Sequence, residues 1–187
     1  MVKRIISFIE NRIYVNNTTI LYKHVNAIIQ HSPAKIVQAD YDNLKDILVF
    51  QHPRYIKIFT NFLDNGDRGY FAYLNGKCVH RSWVQFGRKE VLLNPFIKKV
   101  INHNEAYIHY CETAPEARGN NIYPSVLSKI ASDIKDKYPT IFISTNIKNI
   151  ASRRGIEKAG FHEIERIKTI IFLGIKYKKT LKDSTSI

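Results

Sequence analysis

Arg118, Gly119, Asn120 and Asn121 stand in immediate succession ahead of Ile122, Tyr123 and Pro124. Glycine and asparagine adopt the tight, partly left-handed backbone that turns successive N–H groups toward one point. Pro124 suits the first turn of a helix, where a missing N–H costs nothing. A helix start with unpaired amides, at the positive end of its dipole, holds a phosphate or a similar anion. The chemistry expected here is capture of a phosphorylated ligand, by backbone more than by side chain. Taken alone, the same residues also make an ordinary turn into a helix.

A second segment, Asn149-Ile-Ala-Ser-Arg-Arg-Gly-Ile-Glu-Lys-Ala-Gly-Phe161, follows the strand-like run Thr140–Thr145. The pair of segments resembles the two signatures of the GCN5-related N-acetyltransferase (GNAT) superfamily. In that family a strand leads into a loop of the form Arg/Gln-x-x-Gly-x-Gly/Ala before a long helix. Downstream an Asn opens the next helix, which ends in Glu-Lys-x-Gly-Phe. The resemblance covers Glu105 to Phe161 by motif and the whole chain by element order. The turn Leu74-Asn-Gly-Lys77 also falls where the family has its β2–β3 turn.

The resemblance implies acetyl-CoA as acyl donor. Arg118, Gly119, Asn120, Asn121, Ile122 and Tyr123 would hold the CoA pyrophosphate through backbone amides. Cys111 and Thr113 would offer main-chain groups to the pantetheine arm, which pairs like an added strand. Asn149 and Ser152 would line the arm's far side, and splayed strands would present a backbone N–H to the thioester carbonyl. Three positions depart from the family pattern. Asn121 replaces the second loop glycine. Tyr123 replaces the last Gly/Ala and must turn its ring away from the pyrophosphate. Ile156 stands where many members carry a Tyr that protonates the leaving thiolate.

Direct transfer to an amine needs a group that removes the ammonium proton. Glu112, near the end of the motif strand, and His80, on a strand with Ser82 and Val84, are the two candidates; His109 is a weaker third. The expected reaction is acetyl transfer to a primary amine in a ternary complex without a covalent enzyme intermediate. The helix start Arg-Gly-x-x-Ile-Tyr-Pro and the Asn149 segment look most like members that act in bacterial surface-polysaccharide assembly, which implies an amino sugar nucleotide as acceptor. The alternatives are a hydroxyl acceptor (an O-acetyltransferase) and a non-catalytic CoA- or ligand-binding module of the same fold, which the missing Tyr at position 156 favours.

These residues need elements to position them. Asn75-Gly76 between Gly69–Leu74 and Lys77–Phe86 is the preferred type I′ hairpin pair. Asn16-Asn17 predicts another hairpin within Ile13–Tyr22, and Lys35–Ala39 a short strand. Asp42 reads as N-cap of a helix through Phe50, and Pro53 as the start of a second helix that Asn65-Gly66 ends. Ala106–Thr113, Thr140–Thr145 and two strands meeting near Gly174 complete the sheet; Tyr123–Lys137 and Asn149–Ala159 are helical. The fold class is α+β: a mixed, mostly antiparallel sheet with splayed middle strands and helices on both faces, in one domain over 1–180 with a polar tail at 181–187.

The bulk composition agrees with one core-forming domain: 187 residues, 44% hydrophobic. Lys plus Arg number 29 against 16 Asp plus Glu, a formal +13, which attracts phosphorylated ligands or membrane surfaces. No nucleic-acid motif accompanies the charge. Ile5, Ile9 and Ile13 recur at helical spacing in a basic N-terminal segment, expected to rest on the domain and also suited to weak contact with an anionic membrane. No run reaches transmembrane length. Cys78 and Cys111 read as free thiols of a cytoplasmic protein, not metal ligands. A monomer or a homodimer is expected.

Overall fold

The structure, a computed structural model, describes residues 14–181. The expected helix carrying Ile5, Ile9 and Ile13 lies outside these residues, as does the tail from residue 182. Ten strands form an eight-stranded sheet and a separate hairpin. They are β1 (Tyr14–His24), β2 (Lys35–Ala39), β3 (Arg68–Leu74), β4 (Lys77–Phe86), β5 (Lys89–Asn94), β6 (Ile97–Ile101), β7 (Glu105–Thr113), β8 (Thr140–Asn146), β9 (Phe161–Phe172) and β10 (Ile175–Leu181). The helices are α1 (Arg54–Asp64), α2 (Ile122–Ile134) and α3 (Ile150–Lys158).

The large sheet runs β10-β9-β1-β8-β7-β4-β3-β2. Every pair is antiparallel except β7 with β8. A parallel pair needs a crossover, and here α2 supplies it. On one face α2 and α3 bury Val126, Leu127, Ile130, Ile134 and Ile156 against Ile20, Ile108 and Ile143. On the other, α1 sets Phe59 against Trp83 and Phe71, while the β5–β6 hairpin lays Val91, Leu93, Ile97 and Ile101 on Leu21, Tyr107 and Phe142. The expected α+β class with helices on both faces is what the chain forms.

Local chemistry explains several boundaries. Asn75 and Gly76 both take positive φ, 50° and 76°, as a type I′ turn requires. Gly66, at φ 76°, ends α1. Asn149 caps α3 by accepting the Ser152 N–H at 3.1 Å. Leu173-Gly174 joins β9 to β10.

Other expectations are corrected. Asn16-Asn17 does not turn: both lie inside β1, paired with Ile170 and Thr169 of β9. Long pairing with β9 and β8 overrides the local turn tendency of asparagine. Asp42 does not cap a helix. Asp40 instead accepts the amides of Asp42 and Asn43, and the chain continues as a 3-10 helix, Leu44–Val49. The helix from Tyr123 stops at Ile134 rather than Lys137. Leu181 belongs to β10, not to the tail.

Residues 25–34 strap the end of α3 to α2. Gly160 O accepts the amides of Val25 and Asn26, Gln30 Nε2 donates to Lys158 O, and Ser128 Oγ donates to Ile28 O. Gly160 has φ 84°, and a Cβ there would lie 1.9 Å from Asn26 O. Gly160→Ala must therefore break the strap as well as strain the backbone. Urea denaturation should show a loss above the ~1 kcal/mol typical of a backbone-incompatible substitution; an unchanged midpoint would mean the strap carries no stability.

Candidate active site

β7 and β8 pair in register only from Glu105–Ile108 against Thr140–Ile143. Beyond that the strands part, and Tyr110 takes φ 50° in the middle of β7. A non-glycine residue in the left-handed region is a kept strain. The wedge between the strands opens into a cleft of about 1200 Å³. Its walls are the second half of β7, the loop before α2, and the cleft side of α3.

Most of the sequence-derived residues converge here. Cys111, Glu112, Thr113, Arg118, Gly119, Asn121, Ile122, Tyr123, Asn149 and Ser152 all line the cleft. Asn120 and His80 do not. Asn120 instead closes the loop, its Nδ2 donating to Ala117 O at 3.2 Å.

The loop has the conformation of an anion nest. Gly119 at φ 86° and Asn121 at φ 56° are both left-handed, immediately before α2. Nothing lies within 4 Å of a Cβ placed on Gly119, so the cradle is open. The Asn121 side chain is spent on structure: it donates to Gln30 and to His31 O and accepts from Lys158. Arg118 Nε donates to Thr113 O, tying loop to strand. The cations of the cleft wall, Arg118, Arg154 and Lys158, are all on this loop or on α3.

Tyr123 turns away from the loop, as its position demanded. Its ring lies on Gly155, where a Cβ would come within 2.6 Å of Cδ1. The hydroxyl sits 3.4 Å from Ser152 Oγ and near the Cys111 thiol. Burial raises its pKa well above the usual phenol value, so it stays protonated. Ile156, at the family's tyrosine position, is fully buried in the core. Burial likewise pushes the Cys111 thiol up to about 11, which makes it a poor nucleophile at neutral pH.

The structure takes His80 out of the cleft. Its side chain is fully buried, with Nδ1 2.7 Å from Thr113 Oγ1 and Nε2 2.8 Å from Ser82 Oγ. Burial, helped by Arg81, pushes its pKa down to about 3. As a base it is neutral but enclosed; it braces β4 against the end of β7. His109 lines the cleft, yet burial also pushes it down to about 3, and Nε2 lacks a hydrogen-bond partner. With the ring neutral, its 3.9 Å approach to Asp67 is not an ion pair.

Glu112 is different. Its side chain is 43% exposed to the cleft, and Arg81 Nη2 holds one carboxylate oxygen at 2.6 Å. Arg81 itself is buried: it donates to Gln51 Oε1 and to Tyr110 O, and stacks near Tyr55, Phe59 and Tyr110. Sequence reasoning missed Arg81, since its partners lie about thirty positions away on either side and no local pattern marks it.

No protein-family model and no curated protein matches the chain by sequence. Solved structures do match by shape. A GNAT-family acetyltransferase from Colwellia psychrerythraea superposes with TM-score 0.66 at 16% identity, covering 90% of this chain and 61% of its own. The chain has the GNAT acetyltransferase fold. An aminoglycoside 6′-N-acetyltransferase from Acinetobacter baumannii matches at TM-score 0.53 and 14% identity, over 70% of this chain and 91% of that one. An aminoglycoside N-acetyltransferase in complex with CoA matches at 0.54 and 13%, over 69% and 92%. This chain thus spans under two thirds of the Colwellia protein's length. Within the GNAT fold the wedge between β7 and β8 and the loop before α2 are the parts that the sequence motifs anticipated.

Two measurements probe the site's construction. Gly155→Ala should destabilise by about 1–3 kcal/mol through overpacking on Tyr123, despite alanine's better helix propensity. Tyr123→Ala should remove that penalty in a double-mutant cycle; additive costs would mean the two residues do not meet. Secondly, His80 and His109 are both depressed from an ordinary 6.5, so only the unfolded chain takes up their protons between pH 6.5 and 3. Stability is complete above about 6.5 and falls with decreasing pH, by up to about 1.4 kcal/mol per unit per histidine. Between pH 7 and 5, His80→Gln should lose less stability than the parent by about 1–2 kcal/mol; equal losses would refute the buried neutral ring.

Proposed function

We propose that this protein transfers an acetyl group from acetyl-CoA to an amine by direct attack within a ternary complex. One observation carries the reading: a strand wedge with a left-handed residue at Tyr110 opens directly onto a left-handed amide nest at a helix start, within one cleft. A thioester with a diphosphate at its far end has that shape and charge. The nest amides of Gly119 to Tyr123 receive the pyrophosphate, and Arg118, Arg154 and Lys158 supply the balancing charge. The unpaired edge of β7 at Cys111 and Thr113 takes up the pantetheine arm as a strand would. Asn149 and Ser152 face it from α3.

Acetyl-CoA supplies an activated acyl carbon and a thiol leaving group. Glu112 is the group in reach of the cleft that accepts the ammonium proton, oriented by Arg81. Tyr123, whose hydroxyl burial keeps protonated, gives its proton to the departing sulfur and is restored by the second proton that the attacking nitrogen sheds as the amide forms. It takes over the part that Ile156 has no chemistry to play.

The acceptor end is aromatic, with two carboxylates each held by a cation, Glu90 by Lys98 and Glu112 by Arg81. Glu90, Glu112, Phe62, Tyr107 and Tyr110 line it, while the cleft's cations sit at the nest. Among amines, an unphosphorylated one fits this end better than the amino sugar nucleotide that the motif resemblance implies, because among the described residues no unpaired cation lines it to answer a second diphosphate. Two free thiols at Cys78 and Cys111 suit a reducing compartment such as the cytoplasm.

Purified protein should release CoA from acetyl-CoA when given a panel of primary amines, and acetyl-CoA should raise its thermal midpoint. Asn121→Pro should abolish the thermal shift. Glu112→Gln should keep the shift and lower turnover by about a hundred- to ten-thousandfold. A thermal shift without CoA release from any amine would support a CoA-binding module that transfers nothing. Neither shift nor release would sink the proposal.

A further inference from the structure

The sheet ends, away from the cleft, in a surface the transfer reaction does not use. Register sets Phe172 opposite both Tyr14 and Ile175, Ile170 opposite Tyr177, and Lys168 opposite Lys179. Directly opposed residues share a face, so the rows read Tyr14-Phe172-Ile175, then Asn16-Ile170-Tyr177, then Thr18-Lys168-Lys179. This is the face that farther along packs α2 and α3, here without a cover among the described residues. Tyr14, Phe172, Leu173, Ile175 and Tyr177 are 57–76% exposed. Five large apolar side chains at this end of β1, β9 and β10 form a patch that calls for a partner.

The charges say which partner. Lys168 and Lys179 face each other across the ladder, a like-charge pair that destabilises a sheet. Neither they nor Lys178 is ion-paired among the described residues.

We propose that this end of the sheet docks on an anionic lipid surface. Tyr14, Phe172, Leu173, Ile175 and Tyr177 enter the boundary between headgroups and acyl chains, and Lys168 and Lys179, one to two rows behind on the same face, reach the phosphates. Apolar tip first and cations next is the depth order of a bilayer interface. A nucleic acid would meet the lysines but leave the apolar tip in water. A second copy would cover the apolar tip without using the lysines behind it.

Co-sedimentation of the full chain with vesicles tests this. Phosphatidylcholine vesicles with roughly a third phosphatidylglycerol should bind the protein, and pure phosphatidylcholine should bind it at least about tenfold more weakly, given about fivefold per lysine near the surface. Phe172→Ser with Ile175→Ser should abolish binding, and Lys168→Gln with Lys179→Gln should erase most of the lipid-charge preference. Phe172→Ser/Ile175→Ser should melt with the parent, since both side chains are exposed, and Lys168→Gln/Lys179→Gln should melt no lower, since it removes a like-charge pair. The proposal is overturned if no vesicle binds the parent. It is overturned equally if Phe172→Ser/Ile175→Ser binds vesicles as well as the parent while Ile5→Ser/Ile9→Ser does not, which would assign the contact to the N-terminal segment alone. A concentration-dependent dimer that Phe172→Ser/Ile175→Ser dissolves, or salt-sensitive RNA binding stronger than lipid binding, would also overturn it.

Discussion

The molecule is organised around one strand pair that fails to stay together. A parallel pair at the centre of an otherwise antiparallel sheet is held by a crossover, and here that crossover must start with the loop at 114–121. β7 and β8 keep register for only four residues. After that, the backbone groups facing the gap have no strand to bond, and the left-handed Tyr110 turns β7 away from β8. Unpaired strand edge, open wedge and helix start then fall on a single line. A long, extended ligand with an anionic end fits that line, and little else about the chain's surface does.

The strand beside the wedge, β4, supports it from both faces with polar groups that the interior would otherwise reject. On one face His80 spans Thr113 and Ser82. On the other Arg81 is enclosed by Gln51, Glu112, the Tyr110 carbonyl and three aromatic rings. A buried guanidinium is tolerated only where most of its donors are met, and removing one partner of such a pair is costly. The same pairing that keeps Arg81 inside also fixes the carboxylate of Glu112 and the bulged carbonyl of Tyr110. Site geometry and core stability are therefore one arrangement at this place.

Tyr123 shows how a departure from a family pattern is absorbed. A large side chain at a position that usually carries none needs room, and Gly155 on α3 provides it. The ring then fills the gap between α2, α3 and β7, with its hydroxyl inside the cleft, while Ile156 joins the core.

Local chemistry alone determined a good deal of this protein. Asn75-Gly76 had to turn, because few other pairs accept positive φ twice. Asn149 had to cap, Gly66 and Gly174 had to end the elements before them, and the glycine- and asparagine-rich run before Pro124 had to turn into a helix. These are short-range effects, complete within a few residues. The tertiary structure decided the rest. Asn16-Asn17, turn-like by type, became mid-strand because β9 and β8 pair with β1 on both edges. The β5–β6 hairpin, silent in the pattern, formed because its apolar side had Leu21, Tyr107 and Phe142 to cover. Alternation could place His80 and Arg81 on opposite faces of β4 but not say what would cover each face, and so not which group would be sealed away and which would hold Glu112 at the cleft. Burial and partnership across thirty or more residues are properties of packing, and only the folded chain contains them.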